Sequence, residues 1–156
     1  MSDNRIKELA DRFEPYAYAV LRIVAGALFS FHGVQKIVGW HSAFQPPFGS
    51  QLWVGGVIEL VAGALVAVGA FTRPAAFLSS GQMAVAYIQF HWKLSLADGM
   101  WIPVLNKGEA AALYCFLFLF IAAHGAGILS VESFRERGRA GGGLPLPVRN
   151  PSRTSD

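Results

Sequence analysis

Four long apolar stretches dominate the chain, at Tyr16–Ile37, Trp53–Phe71, Ala75–Trp92 and Ala110–Leu129. Each is continuously apolar and close to the ~20 residues that carry a helix across a hydrocarbon layer, and none shows the ~10-residue alternation of a barrel strand. The pattern predicts four membrane-spanning helices. Charged residues and histidines are few: Arg22, His32 and Lys36 in the first stretch, Glu59 in the second, His91 in the third, His124 in the fourth. Only Thr72, Arg73 and Pro74 separate the second from the third, and Pro74 suits a first helical turn, so those two helices are predicted to be antiparallel neighbours. Ahead of the first stretch, Ile6, Leu9, Ala10 and Phe13 follow helical spacing among charged residues, which predicts a short amphipathic helix on the membrane face over residues 1–15. Trp40, Phe44, Phe48 and Trp53 surround Pro46-Pro47 as interfacial aromatics. Residues 16–132 form the membrane domain in this reading, and 133–156 a basic, Gly- and Pro-rich disordered cytoplasmic tail. The first apolar stretch lacks a clear cleavage site and is read as a spanning helix.

Composition strengthens the membrane assignment. Of 156 residues, 53% are hydrophobic and 15% charged, against about 25% charged in an average soluble domain. A soluble chain of this size buries only about two thirds of its surface and could not hide so much apolar area. The lone Cys115 excludes an internal disulfide and any multi-cysteine metal or iron–sulfur site, and no metal site is expected. With four spans, one side of the membrane holds Arg5, Lys7, Arg12, Arg73, Arg135, Arg137, Arg139, Arg149 and Arg153, and the other only Lys36, Lys93 and Lys107. The positive-inside rule then places both termini in the cytoplasm and the chain, multi-pass, in the bacterial inner membrane. The net charge of +3 belongs largely to this asymmetry, so membrane lipid and not nucleic acid is the expected partner.

Polar groups inside spans are expensive and therefore informative. Glu59 lies about 9 Å below the outer end of its span at the helical rise, and His32 sits at a comparable depth on the first helix with Lys36 one turn above it. The outer half thereby collects His32, Gln35, Lys36, Glu59, His91, Asn106 and Glu109 as candidate ligand-binding residues. Small residues share faces with several of them: Gly56, Glu59, Gly63 and Ala70 on the second helix, Arg22, Gly26, Phe29, Gly33 and Lys36 on the first, Ser80, Ala84, Tyr87 and His91 on the third. Small residues mark close helix approach, so these faces point inward and predict a polar pocket near the outer end. A purely structural role stays open for each: Glu59 as a lock on Lys36 or His32, His91 and Glu109 as interfacial groups. Arg22, snorkelling toward headgroups, Arg73, anchoring a cytoplasmic turn, and His124, a core histidine, are expected to be structural. Val-Ala-Gly-Ala-Leu occurs twice, at 24–28 and 61–65, with Arg22 and Glu59 placed equivalently before it.

These motifs resemble the DoxX family of small four-helix bacterial membrane proteins. The likeness rests on Leu21-Arg22, on His32-Gly33-Val34-Gln35-Lys36, on Glu59 with Gly63, on Thr72-Arg73 and on Asn106-Lys107-Gly108-Glu109, and covers residues 16–132. Gly125-Ala126-Gly127 stands where the family usually carries Gly-Pro-Gly. The resemblance implies a four-transmembrane-helix bundle, and kinship with a subunit of a thiosulfate:quinone oxidoreductase and with a membrane partner of superoxide dismutase and a sulfurtransferase. The wider fold group also resembles animal membrane chaperones and cargo receptors, so fold alone does not settle activity.

Two function classes follow. In the first, the chain is a subunit of a redox complex, quinone-linked or oxidative-stress, whose outer pocket binds a quinone head and whose electrons come from soluble or membrane protein partners, since no haem or flavin signature and no covalent cofactor is expected. In the second, it is a non-enzymatic anchor or assembly factor recruiting soluble proteins through its cytoplasmic segments. Homo-oligomerisation is compatible with either.

Overall fold

A computed structural model describes residues 3–42 and 44–141. They form five α-helices and, among the described residues, no strand: α1 (Asp3–Ile37), α2 (Gln51–Val68), α3 (Thr72–Ala86), α4 (Glu109–His124) and α5 (Val131–Gly141). A π-helical turn, Tyr87–Trp92, prolongs α3, and a short 3-10 turn covers Ala97–Gly99. By length and composition, the stretch Asn4–Ile37 of α1 and all of α2 could cross a membrane, and α4 is a shorter apolar helix. Polarity is inverted relative to a soluble bundle. Phe77, Leu113 and Phe116 are exposed, while Arg22, Glu59, Thr72 and Ser79 are buried. An apolar exterior, with charged groups enclosed in an interior built mainly of side chains such as Phe29, Val66, Phe118 and Ile121, is the arrangement of a protein whose solvent is lipid.

Glycine sets the closest contact. α1 and α2 are antiparallel, and a Cβ added at Gly26 would stand 2.7 Å from the Gly63 carbonyl oxygen, one at Gly63 2.8 Å from the Gly26 oxygen, and one at Gly33 2.7 Å from the Gly56 oxygen. The two Val-Ala-Gly-Ala-Leu copies therefore face each other, backbone against backbone. Ser30 Oγ adds a bond to the Leu60 carbonyl at 3.0 Å. α3 packs on α4, joined by Ser80 Oγ donating to the Cys115 carbonyl at 2.8 Å. α1 and α4 meet differently, through rings: Phe29 lies 4.7 Å from Phe118 and 5.5 Å from Tyr114, and Tyr18 stacks on His124 at 3.7 Å. Beside these rings the two helices part, leaving an apolar groove of 600 Å³ between them.

At the opposite end from Glu59, arginines close two helix C-termini. The last carbonyls of a helix have no partner within it. Arg22, fully buried, donates from Nη1 to the Val66 and Ala67 carbonyls at 2.7 Å each, and from Nη2 to Leu129 at 2.8 Å. It does not snorkel; carbonyls of α2 and of the segment before α5 take its Nη donors, and its buried Nε has no partner among the described residues. Arg73 does the same for α4, reaching the carbonyls of Ala122, Ala123 and His124 at 2.6–3.1 Å.

Three boundaries differ from the sequence pattern. The amphipathic N-terminal segment and the first span are one helix running through Pro15, which removes a single backbone bond without ending α1. The fourth span stops at His124 and not Leu129, because Gly125 takes φ 96° and the chain turns. Residues 133–141, expected to be disordered, belong to α5; the rest of that tail lies outside the described residues. The reason is a cap that composition hides: Ser130 Oγ accepts from Ser133 N at 3.0 Å, Ser133 Oγ accepts from Ser130 N at 3.3 Å, and Glu132 accepts from Thr72 N at 2.8 Å, tying α5 to the start of α3.

Replacing Gly33 or Gly63 by valine should separate α1 from α2 and cost about 1–3 kcal/mol or more. Gly81 has nothing within 4 Å of a would-be Cβ, so Gly81→Ala should be neutral or stabilising by up to about 1 kcal/mol. Thermal unfolding in detergent checks both; equal melting of Gly63→Val and Gly81→Ala would contradict the seam.

Candidate functional site

The glycine seam fixes what stands above it. Gly33 packs on the backbone at Leu60, and a Cβ at Gly56 would stand 2.9 Å from Lys36 Cβ, so the antiparallel register lays Lys36 alongside the Gly56–Glu59 turn of α2, within reach of Glu59. Lys36 Nζ lies 2.5 Å from Glu59 Oε1; the lysine side chain is 34% exposed, the glutamate 3%. Gln82 of α3 completes the cluster, donating from Nε2 to the same Glu59 oxygen at 3.1 Å and to the Gly55 carbonyl at 3.0 Å. These two acceptors dictate the amide's orientation, since a flipped amide would set oxygen against oxygen. Glu59 Oε2 and Gln82 Oε1 are then buried without a partner. Buried polar atoms are normally satisfied; Arg22 Nε and Thr72 Oγ1 at the other end also lack a partner among the described residues, and this cluster differs in holding two orphan acceptors in adjacent side chains that line a cavity.

Over the cluster lies a cavity of 370 Å³. His32, Lys36, Gln51, Glu59, Gln82 and His91 supply its polar groups, and Phe29, Met83, Phe90 and Tyr114 are among the rings and apolar side chains of its lining. The His32 ring stands edge-on to Tyr114 at 6.4 Å. His91 is held by the loop: its Nδ1 is 3.2 Å from the Asn106 carbonyl oxygen. A carbonyl only accepts, so Nδ1 carries the proton, and in the neutral ring Nε2 is an acceptor. Asn106 is in turn fixed by Nδ2 donating to Met100 O at 2.8 Å and to Tyr87 Oη at 3.2 Å, and by Oδ1 accepting from Gly108 N at 2.8 Å.

Of the residues singled out in the sequence, His32, Lys36, Glu59 and His91 thus share one cavity. Asn106 stands behind it, positioning His91. Gln35 is half-buried and Glu109 is exposed at the first turn of α4; neither lines the cavity. Arg22, Arg73 and His124 lie at the other end, where His124 Nε2 also stands 3.8 Å from Glu14. Gln82 and Tyr114 were missed. Helical phase from His91 hides Gln82, because an α-helix places residues nine apart on opposite faces. The π turn changes the count: Gln82 and Ala86 are four apart, Ala86 and His91 five apart, and a π turn stacks residues at that spacing. Gln82, the one amide of α3, was the available signal.

The groove between α1 and α4 adjoins this cavity, sharing Ala110 and Tyr114 with it. The groove between α2 and α3, lined by Val57, Val61, Leu65 and Leu78 among others, shares no lining residue with it. Among the described residues no group of three or more His, Cys, Asp or Glu side chains is placed to hold a metal ion.

Comparison with known proteins gives two matches. The DoxX family model matches residues 17–92. An uncharacterized protein of Haemophilus influenzae is 37% identical over 130 residues, spanning 79% of this chain and 93% of its own length. No solved structure matches.

If Glu59 is held by Lys36, removing the lysine strands a buried carboxylate. Lys36→Met should cost about 1–3 kcal/mol, below the range for a fully buried pair because the lysine is partly exposed, and Lys36→Met with Glu59→Gln should recover much of the loss. A double-mutant cycle on unfolding in detergent checks this; strict additivity would contradict the pair.

Proposed function

The chain belongs to the DoxX family, and on that premise we propose that it is a multi-pass membrane subunit of a quinone-linked redox complex, with the outer cavity as its quinone-head site. Four crossings are supported by the apolar stretches: α1, α2, the continuous helical run Thr72–Trp92, and α4, whose 16 residues span about 24 Å. The lysine and arginine asymmetry supports both termini in the cytoplasm and residence in the inner membrane, with residues 16–132 as the membrane domain. In intact cells of a Cys115→Ala background, Ser42→Cys should react with an impermeant thiol reagent and Glu136→Cys should not; the reverse would overturn the topology.

The observation that carries the functional reading is the cavity's composition: charged and hydrogen-bonding groups converge at one end of an otherwise apolar chamber that adjoins a lipid-side groove. A volume of 370 Å³ lies within the range of small-molecule pockets. A quinone head is a flat ring with polar oxygens, and the residues present suit it. Lys36, with N–H groups beyond the one given to Glu59, would hold a carbonyl. The orphan oxygens of Glu59 and Gln82 and the Nε2 of His91 would take hydroxyl protons, and Phe29, Phe90 and Tyr114 would flank the ring. Bound there, the quinone supplies the redox chemistry; the protein's part is to orient the head and exclude water. Electrons would come from partner proteins.

A second reading, a membrane anchor recruiting soluble proteins, is favoured by α5, a capped helix carrying exposed Phe134 with Arg135, Arg137 and Arg139 on the side of the termini. The two readings separate in one pair of variants. His32→Ala should weaken binding of a short-chain quinone in nanodiscs about 2- to 10-fold, the size of one hydrogen bond, and leave insertion intact. Phe134→Glu should leave it unchanged. Loss of partner recovery with Phe134→Glu, together with no quinone binding by the parent chain, would establish the anchor reading instead.

A further inference from the structure

A head site at the outer end raises the question of where the ligand's chain lies, and the fold offers one adjoining path. Ala110 and Tyr114 line both the polar cavity and the apolar groove between α1 and α4. From that junction the groove descends along Leu28, Val24, Val20 and Ala17 on α1, facing Leu113 and Leu117 on α4. Every one of these side chains is apolar. The α2–α3 groove is apolar as well, but it has no residue in common with the cavity. Adjacency, not greasiness, distinguishes the two. We propose that the α1–α4 groove is the seat of the ligand's isoprenoid chain, so that this protein recognises a polyprenyl quinone by its first few isoprene units as well as by its head. This rests on the head-site reading above.

Geometry sets the length recognised. From residue 28 to residue 17 a helix rises about 16 Å. An extended isoprene unit covers about 5 Å at ordinary carbon–carbon bond lengths, so the groove takes about three units. Tyr18 closes the seam below by ring contacts with Phe120 and His124 across α1 and α4, giving the groove an inner end. Chemistry limits the size of the effect. Lipid tails solvate an isoprenoid as well as leucine does, so no hydrophobic gain accompanies entry from the bilayer. What remains is packing against fixed walls, many small dispersion contacts. A total of about tenfold in affinity over three units is expected, with no further gain beyond them.

The test uses the full chain in nanodiscs and ubiquinone analogues with one to five isoprene units. Partition into the lipid is the same for parent and variant, so the readout is the ratio of their dissociation constants at each chain length. Val24 and Leu113 are 49% and 70% exposed, so a larger side chain at either disturbs no core. Val24→Trp, or Leu113→Trp as a second filling of the same groove, should bind the one-unit analogue like the parent. Both should bind the three-unit analogue about tenfold more weakly, with the ratio flat from three to five units. Val61→Trp, which fills the α2–α3 groove, should leave every ratio near one. Ratios near one at all lengths for the α1–α4 variants overturn the proposal and leave the head site standing, the groove then holding bulk lipid only. A ratio that keeps growing to five units overturns the three-unit length. No binding of any analogue by the parent overturns the head-site reading and this inference together.

Discussion

The contact between α1 and α2 is the constraint on which the rest depends. Gly26 and Gly33 on one helix, and Gly56 and Gly63 on the other, let two backbones touch where any side chain would collide with a carbonyl. Lipid offers no hydrophobic drive to bring helices together, so association must come from close packing and polar contacts. The seam supplies both. Its closeness places Lys36 within bonding distance of a glutamate that the fold has otherwise buried, and a charge at that depth without a partner would be costly. The outer cavity is thus a consequence of glycine spacing more than of any single polar residue.

The same two helices separate structural from chemical polarity. Arg22 and Glu59 precede identical pentapeptides, yet their surroundings differ. Arg22 reaches the end of α2, where several backbone carbonyls lack helical partners, and spends its Nη donors on them. Glu59 lies beside the last turn of α1, where one lysine and one amide satisfy only one of its oxygens. The inner end is closed by hydrogen bonds and by α5. The outer end keeps unused acceptors above the glycine seam. Among the described residues each end keeps two buried atoms without a partner, Arg22 Nε and Thr72 Oγ1 at one and the Glu59 and Gln82 oxygens at the other, but only the latter two belong to residues lining the polar cavity.

Much of this was legible in the chain. Apolar stretches located the helices, and the stripe Arg22, Gly26, Phe29, Gly33, Lys36 on α1 and Gly56, Glu59, Gly63 on α2 named the faces that meet, because small residues beside polar ones in an apolar span mark where a second helix packs closely. Depth left Lys36 and His32 as alternative partners of Glu59, and the fold selects Lys36. Other features depend on local events that periodicity cannot carry. The π turn at Tyr87–Trp92 rotates His91 onto the face of Gln82, so α-helical phase misassigned the amide. The α5 cap uses two serines and a glutamate that answers to Thr72, a tertiary contact invisible in a Gly- and Arg-rich composition. Gln35 and Glu109 were drawn in by proximity in sequence and depth, whereas their directions lead them away from the cavity.

The central claim is that a quinone head sits among α1, α2, α3 and α4 in the cavity above Glu59. Photolabelling tests it most directly, with a ubiquinone analogue bearing an azide on the ring, irradiated with the full chain in nanodiscs and mapped by peptide mass spectrometry. The account predicts labels on residues 29–36, 82–91 and 110–114, removed by excess unlabelled quinone. Labels confined to the inner end around Arg73 and His124, or spread over the lipid-facing surface without competition, would contradict it.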